Sequence, residues 1–257
     1  MRAYLILVLL PFLLATGSVR AAQVPSSDCD ASAVGQQCTC EIEKLKPTQI
    51  SVGWLHVQDI LQDPPSRLQS RAEGKPTQVV IGPGGDLYVT DGHHHARAML
   101  EQLRKGGGQA TTRCQVIADY SNIGPPARDA FLTWLANRHQ ARLNGGDDVD
   151  GAIRPGVFPP ANLAAMTDDS YRSLASFVED GCGFKTTGDY GQFPLADLMR
   201  HARVHVPVDF QHKKQQGRRA AAELVASTTS GDLRSEFDHL ANRSDLQGCA
   251  TSPDAAR

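Results

Sequence analysis

Leu87-Tyr88-Val89-Thr90-Asp91-Gly92-His93-His94-His95-Ala96-Arg97-Ala98-Met99-Leu100-Glu101-Gln102-Leu103 changes its periodicity at a single glycine. Before Gly92 the residues are aromatic and β-branched and fit a strand. After it, Ala96, Met99, Leu100 and Leu103 recur at i, i+3, i+4 and i+7, the spacing of a helix with one apolar stripe. Gly106-Gly107-Gly108 ends that helix. The stretch therefore reads as strand, glycine turn and amphipathic helix.

Working outward, Thr77-Gln78-Val79-Val80-Ile81 and the turn Gly82-Pro83-Gly84-Gly85-Asp86 complete a hairpin with the strand 87–90. Residues 48–52 alternate as a further strand, and 54–61 form a short helix stopped by Pro64-Pro65. Residues 113–120 supply a fourth strand. Beyond it the pattern is helical: 127–143 carries Phe131, Trp134 and Leu135, and the Gly, Asp and Pro-rich stretch 145–160 is loop. Thr167 is placed to cap a helix whose Tyr171, Leu174, Phe177 and Val178 share a face, with Gly181 and Gly183 at its end. Shorter helices are expected at 194–203, 210–226 and 232–242. The fold class is α+β, a small mixed sheet followed by a helical C-terminal half.

The first residues have another character. Arg2, the apolar run Leu5-Ile6-Leu7-Val8-Leu9-Leu10-Pro11-Phe12-Leu13-Leu14 and small residues through Val19 and Ala21 make a signal peptide over 1–21, too short for a spanning helix. The expected product is secreted or periplasmic, with no membrane contact after processing. All six cysteines (Cys29, Cys38, Cys40, Cys114, Cys182, Cys249) follow this segment, and an even set in an oxidising compartment reads as three bridges of open connectivity. A metal site at Cys38-Thr39-Cys40 is disfavoured, because no second close pair or histidine completes it. Residues 22–44 read as an irregular, cysteine-bearing leader, 45–226 as the folded domain and 227–257 as a short helix and mobile tail. A formal net charge of −2 gives no reason to expect broad nucleic-acid binding.

Chemistry concentrates at the glycine turn. A glycine at a helix entry lets backbone approach a ligand, the helix start offers unpaired N–H groups, and imidazole and guanidinium groups add positive charge. His93 and Arg97, four residues apart, are positioned to reach one anion. The candidate phosphate-binding set is Gly92, His93 and Arg97. The candidate catalytic set is His93, His94 and Asp91, although Asp91 before a helix reads first as its cap, and His95 reads as a structural residue. Arg97 also has Glu101 as an i+4 partner. Lys213, Lys214, Arg218 and Arg219 read as a solvated basic face, and Asp147, Asp148 and Asp150 lack the spacing of a calcium loop.

Pro47-Thr48-Gln49-Ile50, the hairpin, the run from Asp91 to Ala98, Asp168-Asp169-Ser170-Tyr171-Arg172-Ser173-Leu174 and Phe193-Pro194-Leu195-Ala196-Asp197 resemble the ParB-like nuclease family, a branch of the ParB and sulfiredoxin superfamily. The resemblance runs from about residue 45 to 216. It implies a ParB/sulfiredoxin-like sheet and phosphate, nucleotide or nucleic-acid chemistry at Gly92, His93, His94 and Arg97. Two departures matter: His93 stands where sulfiredoxin has its catalytic cysteine, and His95 where many relatives carry arginine. A titratable ring thereby replaces a permanent charge. No base-reading helix-turn-helix is visible, so a chromosome-partitioning role is not expected.

Two function classes remain open. One is an exported nuclease or phosphodiesterase, for which a divalent metal such as Mg2+ is compatible although no ligand set is complete. The other is a non-catalytic anion or nucleotide-binding module; a small-molecule kinase is disfavoured because ATP is scarce outside the cell. Oligomeric state is not encoded in any readable pattern.

Overall fold

A computed structural model describes residues 28–29, 34–108, 110–143, 158–186, 191–206, 212–228, 231–240 and 243–251. The signal-peptide segment, Asp147, Asp148 and Asp150, and the last six residues lie outside this set. Among the described residues seven strands appear in chain order: β1 (Gln37–Glu41), β2 (Lys46–Pro47), β3 (Ser51–Val52), β4 (Thr77–Ile81), β5 (Leu87–Asp91), β6 (Thr111–Asp119) and β7 (Thr167–Asp168). The helices are α1 (Trp54–Ile60), α2 (Pro65–Gly74), α3 (His93–Arg104), α4 (Arg128–Ala136), α5 (Ser170–Cys182), α6 (Gln192–His201), α7 (Lys213–Ser227), α8 (Asp232–Asp238) and α9 (Arg243–Ala250).

Five strands make one mixed sheet in the order β1-β6-β4-β5-β2, with β4 antiparallel to β5 and parallel to β6. Central β4 buries side chains on both faces, which is why it reads as an almost unbroken apolar run. Val79 and Ile81 join a core with Val57, Leu68, Ala96, Met99 and Leu100 of α1, α2 and α3. Val80 faces the other way, into Tyr88, Phe131, Leu132 and Leu135, where the rings of Tyr88 and Phe131 meet edge to face at 4.9 Å. A third core belongs to α5, α6, α7, α8 and α9. The expected mixed sheet and helical second half are therefore both present.

Several boundaries differ from expectation, each for a physical reason. The segment read as irregular leader contains β1, an edge strand antiparallel to β6; in Gln37-Cys38-Thr39-Cys40-Glu41 the period-two burial rests on cysteines rather than large apolar residues. The strand expected at 48–52 is interrupted. Lys46–Pro47 pairs with β5 and Ser51–Val52 with β7, while the Thr48 hydroxyl between them donates to Val89 O at 2.6 Å. Pro64-Pro65 does stop α1, but Pro65 also starts α2, its fixed φ suiting a first helical position. Helix α4 ends at Ala136 rather than 143, the chain turning at His139 with φ 56°. Thr167 lies in β7, and the residue capping α5 is Asp169, whose Oδ1 accepts from Arg172 N at 3.1 Å.

Gly183 ends α5 in the left-handed conformation (φ 75°), but Gly181 lies within the helix against α7. The six cysteines form three bridges, Cys29–Cys38, Cys40–Cys114 and Cys182–Cys249. Among the described residues no helix is long and apolar enough to cross a membrane.

Helices α5 and α7 touch at backbone distance. A Cβ at Gly217 would lie 1.9 Å from Phe177 O, so the crossing tolerates hydrogen alone. Gly217→Ala is expected to lower unfolding free energy by about 1–3 kcal/mol despite alanine's better helix propensity. Gly74→Ala, which meets nothing within 4 Å, serves as the control and should lose no stability. Urea denaturation of both variants checks this.

Candidate functional site

The turn between β5 and α3 depends on Gly92, whose φ of 92° and ψ of 15° favour glycine. Asp91 closes this turn. One carboxylate oxygen accepts from Gly92 N at 2.7 Å and the other faces Lys75 Nζ at 3.5 Å, with the side chain exposed. It does not cap α3, because Gly92 occupies the cap position.

The three imidazoles that follow reach three different segments. His93 Nε2 accepts from Thr48 N at 3.2 Å, and His94 Nε2 accepts from Gly53 N at 3.0 Å. A backbone N–H only donates, so both rings carry their proton on Nδ1. His95 Nε2 meets Leu68 O at 3.0 Å, and there the ring nitrogen must be the donor. Arg97 is buried: Nε donates to Glu101 at 2.9 Å, Nη1 to Leu163 O at 2.7 Å and Met166 O at 3.2 Å, and the guanidinium lies 5.0 Å from the Trp54 ring centre.

Two expectations are corrected by this arrangement. His93 and Arg97 do not converge on one anion; one turns to Thr48 and the other to Leu163 and Met166. Nor do the imidazoles add positive charge. Burial, with Arg172 nearby, holds His93 down at about 3; burial, then His56, Arg172 and His93, holds His94 well below the usual histidine range; and burial lowers His95.

A denser polar cluster lies beside the turn, where α1, α3 and α5 meet. The rings of His56 and His94 stack at 4.6 Å with 25° between planes. His56 N donates to Ser173 Oγ at 3.2 Å, and Trp54 N donates to Asp168 at 2.7 Å. A Cβ at Gly53 would lie 2.5 Å from Ser173 N, so glycine lets α1 start against α5. Arg172 donates to Gln49 at 3.2 Å and to Gln192 at 3.5 Å, and its guanidinium lies 3.6 Å from the Phe193 ring centre. Glu179 holds the next layer, accepting from Gln192 and from the Thr186 amide and hydroxyl, each at 2.6 Å.

Within this cluster His56 Nδ1 is buried without a hydrogen-bond partner. Burial lowers the ring to about 4; Asp59 and Asp180 pull the other way, and Arg172 and Lys213 add to the lowering. The stacked pair is therefore neutral at pH 7. His56, Gln49, Ser173 and Glu179 were not singled out from the sequence as site residues. The signal available was a histidine set between the apolar Leu55 and Val57 of a short helix, together with the Asp168 to Leu174 segment that carries the family resemblance.

The basic residues of α7 are partly committed, with Lys213 paired to Asp59 at 2.6 Å and Arg218 donating to Gly181 O at 2.9 Å. Among the described residues, Asp28, Cys29 and Cys38 have ligand atoms within 4.8 Å of one another, but the two sulfurs are joined in a bridge.

Comparison with known proteins places this architecture. Residues 38–201 match the family model described as "Putative ParB-like nuclease". The chain belongs to this ParB-like family. Its match begins inside β1 and ends with α6, so it covers all of the sheet but the first residue of β1, and the polar cluster. The crystal structure of protein Atu1540 from Agrobacterium tumefaciens is similar, with a TM-score of 0.54 at 25% identity over 80% of this chain and 96% of that one. No curated protein matches.

Neutral burial of these rings fixes the pH dependence of stability. Because the folded values lie below 6.5, the unfolded chain takes up protons first on acidification. Stability is therefore full above pH 6.5 and falls towards the folded values of about 4 for His56 and about 3 for His93. Each such ring contributes a slope of about 1.4 kcal/mol per pH unit in that window. Urea unfolding at pH 7.5, 6 and 5 should show the decline, and a flat profile would contradict it.

Proposed function

We propose that this chain is an exported, phosphoester-hydrolysing member of the ParB-like family, nuclease-like in activity, whose working groups are His56, His94 and Arg172. Family membership supports a nuclease-like or DNA-binding role. Export is supported by the N-terminal charge and apolar pattern and by three disulfides, which persist in oxidising compartments. The observation that carries the reading is the stacked, neutral imidazole pair beside a guanidinium, with one ring nitrogen unpartnered.

These groups suit phosphodiester hydrolysis. A neutral His56 can take a proton at Nδ1 from an attacking water, while Arg172 offsets charge that grows on the phosphoryl oxygens in a water-poor setting. The P–O bond to the leaving alkoxide breaks, and that oxygen is protonated from solvent. In this reading Gly92, His93, Asp91 and Arg97 build the site instead of contacting phosphate. Gly92 sets the entry to α3, His93 holds Thr48, Asp91 closes the turn and Arg97 holds the segment before β7. His94 alone of the turn residues stands in the working cluster.

One observation favours a second reading. Each ring of the histidine triplet already makes a hydrogen bond inside the protein, which weighs against catalysis by the triplet and leaves a non-catalytic anion or nucleotide-binding module as the second reading.

Purified, oxidised protein incubated with labelled DNA, RNA and nucleotides, with and without Mg2+, separates the two. The hydrolase reading expects turnover that His56→Gln lowers by about 100-fold or more, the usual share of a general base, with circular dichroism unchanged. Thermal stabilisation by phosphate or nucleotide with no turnover in any arm selects the binding module and sinks the hydrolase.

A further inference from the structure

The register of β1 on β6 places Cys38 directly opposite Cys114, yet neither is bonded to the other. Cys38 is joined to Cys29, and Cys114 to Cys40, whose register partner is Thr112. Side chains two apart on a strand share a face, so Cys38, Cys40 and Cys114 all project to the same side of the sheet. Directly opposed residues in an antiparallel pair have Cα atoms about 4.5–5.5 Å apart, inside the span of about 4.4–6.8 Å that a disulfide bridges. The existing diagonal bridge has a Cα separation of 6.0 Å. Cys114 thus has two partners within reach on one strand.

Access differs sharply between the two bridges. Cys40 and Cys114 are both at 0% exposure and Cys38 at 4%, whereas Cys29 is only partly buried. Disulfide exchange needs a thiolate that can reach the sulfur it attacks, so a solvent thiol meets the outer bridge at Cys29 and is kept from the inner one.

We propose that β1 and β6 form an internal thiol–disulfide exchange site, in which Cys38 relays exchange from the outer bridge to the buried one. The external reactant is a thiol or dithiol. Its thiolate attacks Cys29 Sγ, forms a mixed disulfide there and releases Cys38 as thiolate. Freed from Cys29, Cys38 rotates towards its register partner and attacks Cys114 Sγ. The Cys38–Cys114 bond forms, the Cys40–Cys114 bond breaks, and Cys40 leaves as a thiolate that takes a proton in its apolar surroundings. Both bridges are exchanged and the number of disulfides is unchanged, the outer one passing to the mixed disulfide at Cys29 and the inner one to Cys38–Cys114, so no oxidant or further reductant is required.

The test is limited reduction of the folded protein with dithiothreitol, acid quenching, alkylation and disulfide mapping by mass spectrometry. The relay predicts a transient peptide pair linked through Cys38 and Cys114 together with alkylated Cys40, before the inner bridge is lost. It also predicts that Cys29→Ser combined with Cys38→Ser slows opening of Cys40–Cys114 by about tenfold or more, as loss of the attacking Cys38 thiol requires. The rate at Cys182–Cys249 should stay unchanged. If the double variant does not fold, the wild-type map decides alone. Opening of Cys40–Cys114 with no Cys38–Cys114 species at any time overturns the proposal, as does an equal opening rate in the double variant.

Discussion

A buried main-chain N–H that leaves its ladder must find an acceptor, and in this fold the acceptors come from the first turn of one helix. Between β2 and α1 the chain leaves the main sheet, and its main-chain N–H groups at Thr48 and Gly53 turn to side chains instead. The imidazoles of His93 and His94 accept from them. Arg97 does the converse, donating to the carbonyls of Leu163 and Met166 just before β7. Three irregular segments are thereby held on α3 by side chains within five residues. Imidazole suits this task because a neutral ring offers one acceptor and one donor on a stiff planar frame. The same choice makes the arrangement sensitive to acid, since protonation removes the acceptor.

The start of α5 is the second anchor. Asp169 caps the helix and also receives Arg200 at 2.7 Å, with both side chains at 1% exposure, and Arg200 reaches on to Asp197 at 2.7 Å. Arg142 joins Asp197 from the end of the α4 segment. Buried pairs of this kind are weak evidence for net stability, because desolvation offsets their attraction; what they fix is direction. Here they hold α6 against α5 so that Arg172, the third residue of α5, meets Gln49 on one side and Gln192 on the other. The polar cluster is thus the seam between the sheet with its helices and the C-terminal bundle. It is where apolar packing ends and hydrogen bonds must align the halves.

How much of this was legible follows from which residues carry each feature. The hairpin, α3 and the left-handed Gly183 were readable because large apolar side chains and glycines mark their period and ends. Strand β1 was not, since its buried positions are cysteines amid polar residues. The two-residue pairing of β3 with β7 carries no local signature, because its partners are separated by more than a hundred residues. Helix α2 carries little signal, because Pro64-Pro65 both stops one helix and starts the next and only Leu68 and Ala72 of α2 are buried. At the site, the sequence marked the histidine triplet as chemically loaded but gave no sign that its rings would turn inward. The direction of a side chain at a helix start depends on the segments packed over it, and these came from residues 48–53, 68 and 163–166.

The helices beyond the family match are part of the same electrostatic unit. Lys213, the first residue of α7, bridges Asp59 of α1 at 2.6 Å and Asp180 of α5 at 3.6 Å. Those two carboxylates are the groups that raise His56; burial lowers it most, and Arg172 and Lys213 add to the lowering. Without α7 the two carboxylates would be opposed by burial and Arg172 alone, and the ring would move up. Gly217 and Gly181 let α7 approach α5 closely enough to keep Lys213 in reach, and the Cys182–Cys249 bridge ties α9 to the same helix. The lowering of His56 in the first half of the fold, set first by burial, is therefore reinforced by a lysine that two glycines in the second half keep in reach.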